Sequence, residues 1–570
     1  MHFSQARSRA LGACAVAAVA AGAVIAATGA ADPSHGFSLS DVPTANERAA
    51  GYAPASRLSA GIAQVAWAQG STRLENPEGL VSFYGYENDT PSPENAAVPQ
   101  MVPAALASPA EAQKTESDKN TYLTLKNGAV GPDSTYYYGR HFLYQGHELA
   151  ATVDGKKQGY ITRVNLDADA QHRVTLMATK DTAGQPIATI DGSTWDPFAQ
   201  RLIFTTESAS APTYAATAGY PSQVEDVSGA LGRGGYEGIQ NDSDGNLWIV
   251  EDIGGSNKPG TTSKVPNSFV YRYVPRRPGD LKNGKLQALQ VLNKGGTPIT
   301  FESQQALYAP DQVLDHSYGN QLDTRWVTVH DTATEGSAPF NANVAGKAAH
   351  ATPFKRPENG VFRPGSRFRQ FYFDETGDTN NTSAENGTSP GTTDAGGWGG
   401  AQLLTQTSPS ADTGKLSVFY KGDQAHTGLD NVAFLTRDQL TFVEDAGDTL
   451  HKQRNALDSG YVFDANADYS RASSKPTRWL AEGRDPSATL DAANGGFGKN
   501  DGDNEITGVH VSDGDPSPDG ILGAKVPTPF AGGWRWFYTQ QHGDNPTYEV
   551  IPAPTAGPGQ HGDGDGGDRR

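Results

Sequence analysis

The order of apolar and polar positions is that of a chain built from short strands. From Leu80 onward, brief apolar or aromatic runs end in turn residues, and long runs with helical periodicity are nearly absent. The clearest unit is residues 236–252, YEGIQNDSDGNLWIVED. An acidic entry at Glu237 leads into the turn Asn241-Asp242-Ser243-Asp244-Gly245, and an apolar strand at 247–250 ends on Glu251-Asp252. Asp-Gly between two apolar runs predicts a hairpin, here with carboxylates at both ends.

The unit recurs. Residues 191–208 run a Trp-Asp-Pro turn into a strand at 202–205 that ends at Thr206-Glu207. Residues 356–378 have an acidic entry at Glu358, a Pro-Gly turn, and a strand at 368–373 that ends on Asp374-Glu375. Residues 430–445 open on Asp430 and parallel 236–252 closely, and residues 505–542 open on Glu505 and reach a strand at 534–539. Upstream, a strand at 80–86 ending on Glu87-Asn88-Asp89 and an aromatic strand within 135–151, carrying His147-Glu148, count together as one diverged unit. Plainer strands are expected at 159–165, 268–274, 326–330, 416–420 and 460–464, and short helices at most at 311–319 and 455–460. Degenerate β units with irregular insertions predict an all-β fold, a six-bladed β-propeller with inserted loops and an N-terminal arm. The expected organisation is a signal peptide over 1–30, the arm over 31–78, the propeller over 79–553, and a disordered Gly- and Asp-rich tail over 554–570.

Composition narrows the partners. The 570 residues carry 64 acidic against 45 basic side chains, a net charge of -19, which disfavours binding to nucleic acid or anionic membranes and suits cations. Arg7 and Arg9, an Ala/Val-rich run to Ala27 and small residues before Asp32-Pro33 read as an export signal. A membrane anchor is the competing reading, but the run is short and Ala-rich. A secreted or periplasmic protein, not inserted in the membrane after cleavage, is therefore expected. Cys14 is the sole cysteine and would leave with the expected signal, so the mature chain would have no disulfide and no thiolate ligand.

Strands that start near a propeller axis would let Glu148, Glu207, Glu237, Glu358, Asp430 and Glu505 converge from equivalent positions, far apart though they are in sequence. Carboxylates gathered in one cavity raise each other's pKa unless cations balance them, and oxygen donors suit hard cations such as calcium or ferric iron. Singly, each acid could be a solvated turn residue. The calcium-loop-like starts at Asp464 and Asp501 lack the closing glutamate, having Lys475 and Ser512 at the twelfth position, and read as turns. No P-loop, G-x-S-x-G elbow or H-E-x-x-H pair occurs. His147 and His542 beside their acids read as structural.

Gly85-Tyr86-Glu87-Asn88-Asp89, Gly146-His147-Glu148, the 236–252 block, Arg356-Pro357-Glu358, Asp430-Asn431, Glu505-Ile506-Thr507-Gly508 and Gln541-His542 occur in the order of motifs that the chain shares with PhoX-type bacterial alkaline phosphatases. The resemblance runs over about 79–550. It implies an exported six-bladed propeller with a calcium and iron cluster that hydrolyses small phosphomonoesters. Carried over by motif, Glu237, Glu358, Glu148, Glu207, Asp430 and Glu505 would be metal ligands or the groups behind them, and Arg356 would grip phosphate; a salt bridge to one of these acids is the other role open to Arg356. The chain departs from the pattern twice. Residues 189–195, where the family's phosphatases carry a cysteine, hold Asp191 as an oxygen donor instead, which favours calcium over iron. Arg7 and Arg9 are split by Ser8, unlike the family's twin-arginine signals. A non-catalytic, calcium-stabilised propeller for binding or surface display stays open as the alternative, as does a hydrolase for lactones or other esters.

Overall fold

The hairpin at 236–252 forms as its pattern predicts. Tyr236–Asn241 pairs antiparallel with Leu247–Glu251, with Ile239 opposite Ile249 and Asn241 opposite Leu247. Gly245, at φ 83°, closes the turn in the left-handed region that glycine enters freely. The Asp242 carboxylate accepts from the backbone N–H of Asp244 at 2.9 Å and of Asn246 at 3.0 Å, and from Trp248 Nε1 at 2.8 Å. Val270–Pro275 and Gly284–Val291 extend the hairpin into a four-strand meander.

This computed structural model describes residues 38–43, 56–85 without 71 and 82, 115–148, 151–482 without 154–155, 259–262, 307–308, 379–394 and 455, and 505–554 without 542–544. The meander repeats along them. Thr121–Thr124, His141–Gly146, Ile161–Asn165 and Val174–Ala178 form one sheet in that order, and Ser193–Asp196, Arg201–Phe204, Tyr214–Ala216 and Val224–Asp226 form the next. Gly360–Phe362, Gln370–Glu375, Gly400–Gln406 and Thr413–Lys421 form a further meander, joined edge to edge with that of 236–291 through Leu322–Asp331 into a nine-stranded sheet. Leu429–Phe434, Gln439–Glu444, Ser459–Asp464 and Thr477–Ala481 follow, then Ile506–Ser512, Arg535–Gln540 and Thr547–Pro552. The first strand of each meander touches the first strand of the next, and Ile506–Ser512 touches Thr121–Thr124, so these contacts close on themselves. The described chain is thus mainly β, with a propeller-like arrangement of sheets. Apolar faces between neighbouring sheets supply the core. One such cluster packs Trp248 against Trp326, Phe362 and Phe371 at ring separations of 5.0 to 5.1 Å.

The N-terminal segment departs from the expected arm. Arg57–Leu58 adds an edge strand beside Thr477–Ala481, and Ile62–Ala68 pairs with Thr547–Pro552 as the outer strand of the last sheet. Residues 80–86 do not form the expected strand among their described members. There the chain makes only an isolated bridge, Phe83 with Arg73, and the Tyr84 hydroxyl reaches Ser117 at 2.6 Å, Gln145 at 2.8 Å and Thr547 at 2.8 Å. A helix, Pro310–Asp315, overlaps the expected 311–319. The second helix, Gly447–Arg454, precedes 455–460 because the strand Ser459–Asp464 begins there. The expected signal at 1–30, Glu87-Asn88-Asp89, His542 and residues 555–570 of the tail lie outside the described residues. No helix of the described residues is long and apolar enough to cross a membrane.

Trp248 is 1% exposed and its indole N–H is satisfied by Asp242. Trp248→Ala is expected to cost about 3–5 kcal/mol of unfolding free energy. Trp248→Phe, which keeps most of the packing and loses the hydrogen bond, should cost only about 1–2 kcal/mol. Urea titration of both variants measures the difference.

Candidate metal centre

Antiparallel pairing places the start of each first strand beside the end of the second, so each meander offers two positions to the point where the first strands meet. The same backbone bond marks both positions in five of the meanders. The N–H of Glu148, Asp252, Thr376, Asp445 and Gln541 donates to the carbonyl of Glu116, Gly235, Arg356, Gly428 and Glu505 respectively, at 2.7 to 2.9 Å. Two residues beyond these carbonyls lie the entry positions Asp118, Glu237, Glu358, Asp430 and Thr507. In the remaining meander Asp191, two residues before Ser193–Asp196, sits as Glu358 sits before Gly360–Phe362, and Glu207 follows the second strand. The acids predicted as equivalent are therefore of two kinds. Glu237, Glu358, Asp430 and Asp191 are entry residues, Glu148 and Glu207 are exit residues, and Glu505 precedes an entry.

Local sequence fixes this arrangement. The register slips between Tyr236 and Ile239, between Leu429 and Val432, and between Thr507 and His510. Such bulges re-aim a side chain at a sheet end, and here they fall at Glu237, Asp430 and Gly508. Neighbouring first strands approach closely. A Cβ on Gly192 would lie 1.9 Å from the Glu237 carbonyl oxygen, and one on Gly238 would lie 2.8 Å from that of Glu358. Alternation along the second strand sends the residue before each exit position behind the site. Glu251 accepts from Phe269 N–H at 3.0 Å and Asn343 Nδ2 at 2.9 Å. Glu375 accepts from Lys355 N–H at 2.8 Å and lies 3.2 Å from His316 Nε2. Glu444 pairs with Arg454 at 2.8 Å. His147 is such a residue, its ring nitrogens 3.1 and 3.0 Å from the Thr115 and Thr162 hydroxyls, with burial pushing its pKa down to about 3. It is structural, as expected.

The carboxylates meet in four overlapping groups whose donor oxygens lie within 4.8 Å of one another: Glu207, Glu237, Asp252 and Glu358; Asp118, Asp191 and Glu237; Asp118, Glu148 and Glu505; Glu148, Asp191 and Glu207. Asp430 belongs to none of these, but its charge acts on Asp118 and Glu358. Two cations are built in. Lys119, fully enclosed, donates to Asn359 Oδ1 at 3.1 Å and Asn431 Oδ1 at 3.0 Å. Arg356 Nε lies 3.0 Å from both Asp252 oxygens, and its Nη2 lies 2.8 Å from Asp252 Oδ2 and 3.0 Å from Glu358 Oε1. The salt bridge left open for Arg356 is thus present.

Two cations do not balance so many acids. Burial first, and neighbouring carboxylates second, push Glu148, Asp191, Glu237, Asp430 and Glu505 well above the ordinary carboxylate range. Glu358 rises likewise through burial and Asp252, against the pull of Arg356. Asp118 is pushed up to about 7 by burial, and Glu207, exposed by area yet crowded by its neighbours, to about 8 by desolvation and the charge of Asp252. Asp118 Oδ1, Asp191 Oδ1 and Asp430 Oδ2 are buried with no hydrogen-bond partner. Buried oxygen acceptors left unpaired, in a set free of sulfur and imidazole, have the chemistry of a hard-cation site.

Residues 261–516 match the family described as alkaline phosphatase PhoX. That stretch is similar to the PhoX family. Among solved structures, Pseudomonas fluorescens PhoX in complex with vanadate, a transition state analogue, superposes over 90% of this chain and 98% of its own, with a TM-score of 0.51 at 11% identity. A gluconolactonase from Xanthomonas campestris aligns over 83% of this chain and 98% of its own, with a TM-score of 0.32 at 10% identity. No curated protein sequence matches the chain. The fold is therefore PhoX-like. The PhoX-matching stretch carries Arg356, Glu358, Asp430 and Glu505, whereas Asp118, Lys119, Glu148, Asp191, Glu207, Glu237 and Asp252 precede it.

Sequence reasoning missed Asp118, Lys119 and Asp445, and left Asp252 undecided beside Glu251. The signal was present: Glu116-Ser117-Asp118-Lys119-Asn120 has its acid two residues after Glu116, as Glu358 follows Arg356 and Asp430 follows Gly428. With the folded carboxyls of Asp118 and Glu207 at about 7 and about 8, against ordinary values of 3.8 and 4.5, the folded chain holds protons that the unfolded chain has released. Stability of the metal-free protein should therefore fall as pH rises from about 4 to about 8. Melting in the presence of a chelator should occur at lower temperature at about pH 8 than at about pH 5, and calcium should remove the decline. A flat chelator profile would contradict this electrostatic picture.

Proposed function

We propose that this protein is an exported, metal-dependent phosphatase, built as a six-bladed β-propeller, that hydrolyses phosphomonoesters where its first strands meet. The observation that carries the reading is the convergence of carboxylates into overlapping groups with orphaned buried oxygens. The match of residues 261–516 to the PhoX family and the likeness to a PhoX structure holding vanadate support it. Calcium is the cation that the all-oxygen donor set fits best, with iron as the second candidate. Glu148, Asp191, Glu207, Glu237, Glu358, Asp430 and Glu505, together with Asp118 and Asp252, would hold it or stand behind it. When bound, such cations supply Lewis-acid polarisation of a phosphoryl oxygen. The other steps belong to the chain. Arg356 orients the phosphate through a guanidinium fork that matches its oxygens, and Asp252 and Glu358 hold that fork in place beforehand.

The backbone at Arg356 supports a role beyond structure. Arg356 has φ 57° at the position that Gly235 fills at 63° and Gly428 at 65°. A side chain at such a φ costs about 1–2 kcal/mol, a cost that glycine avoids and that a substrate-binding arginine would justify. The same ion pair favours a second reading, since an arginine already committed to Asp252 and Glu358 also suits a non-catalytic, calcium-stabilised propeller.

Purified protein is expected to contain calcium and to hydrolyse p-nitrophenyl phosphate, with a chelator abolishing turnover. Arg356→Gly, which suits the local φ, should keep the calcium-dependent melting temperature while lowering kcat/KM by at least about a hundredfold. Elemental analysis and rate measurement on the same sample decide the matter. Metal-loaded protein without turnover at neutral to alkaline pH would leave the binding role.

A further inference from the structure

A second basic group stands beside Arg356. Residues 253–258 and 263–267 lie beside each other, with Lys258 N–H donating to the Ser263 carbonyl at 2.8 Å and Val265 N–H to that of Ser256 at 3.0 Å. Asp378 ties Ser263 and Lys264 to Lys355, the neighbour of Arg356. It accepts from the backbone N–H of Lys264 at 3.2 Å and the Ser263 hydroxyl at 3.4 Å, and also from the buried ammonium of Lys355 at 3.1 and 3.2 Å. Lys264 and Arg356 consequently line one cleft with Ile253, Gly255, Val265 and Lys355. The charges of Arg356, Asp252, Asp378 and Glu358 all act on the Lys264 side chain.

The two cations differ in one respect. Arg356 has its Nε and Nη2 committed to Asp252 and Glu358. The half-buried Lys264 ammonium makes no hydrogen bond or ion pair among the described residues. An incoming anion can engage Lys264 without breaking an existing pair, whereas engaging Arg356 first means competing with two carboxylates. The need is strong, because the site is rich in acids and the whole chain carries -19, so a dianion approaches against repulsion.

Building on the phosphatase reading, we propose that Lys264 is the first cationic contact for the substrate's phosphoryl group and selects dianionic phosphomonoesters over monoanionic diesters. The loop fixed by Asp378 holds the ammonium at the entrance, and Arg356 completes the grip once the ester has displaced its carboxylate partners.

The test uses the full, calcium-loaded chain with inorganic phosphate as probe, by calorimetry, alongside turnover of p-nitrophenyl and bis-p-nitrophenyl phosphate. Lys264→Gln should weaken phosphate binding about tenfold and raise the monoester KM by a similar factor, with the loss carried by KM and not by kcat. The diester KM should change little, and Lys264→Arg should restore both properties, which separates lost charge from disturbed folding. Phosphate binding by Lys264→Gln equal to that of the unaltered chain would overturn the assignment, as would an unaltered chain that binds no phosphate. An unaltered chain that binds phosphate and turns over neither ester would overturn the phosphatase reading while the binding comparison still decides Lys264.

Discussion

Repulsion among like charges is the constraint on which this structure depends. Entry and exit carboxylates from successive sheets are drawn within 4.8 Å of one another, where they cannot all ionise unaided. Lys119 and Arg356 offset part of the charge, and protons or bound cations must offset the rest. A protein of this kind keeps such an arrangement only if the sheets behind it are held firmly enough to resist the repulsion. The aromatic clusters between sheets, the ion pair of Glu444 with Arg454, and the contacts of Glu375 with His316 brace those strand ends.

The bracing and the site share one design. Neighbouring residues at the end of a second strand point opposite ways, so one anchors the strand while the next meets its counterparts from other sheets. Glu251 and Asp252 show the division most clearly. Glu251 disappears into backbone and amide hydrogen bonds, and Asp252 faces Arg356, Glu207 and Glu358. Two adjacent acids of similar chemistry thus do unrelated work, and only the direction of the strand separates them.

Much of this was legible in the sequence, because hairpins with acids at their ends are local features. The 236–252 unit, the copy at 430–445 and the entry residues Glu237, Glu358 and Asp430 all follow from short-range pattern. Asp118 escaped because its first strand is only Thr121–Thr124 and its partner, His141–Gly146, follows a long excursion, so no hairpin signal links them. Glu148 was read as an entry residue for the same reason. Ile62–Ala68 looked like an arm because its partner strand, Thr547–Pro552, lies at the far end of the chain. Patterns within a window reveal strands; they do not reveal which distant edge a strand will join.

That last pairing carries a consequence in time. Ile62–Ala68 emerges early from the ribosome yet finds its hydrogen-bonding edge only when Thr547–Pro552 has been made. Contacts of such long sequence separation form late and slowly. Glu505 and Gln541, which complete the carboxylate set beside Asp118 and Glu148, also arrive near the end. The group of Asp118, Glu148 and Glu505 is therefore incomplete until the last sheet closes, whereas Glu207, Glu237, Asp252 and Glu358 come from earlier sheets. Closure of the fold and completion of its last carboxylate group are one event.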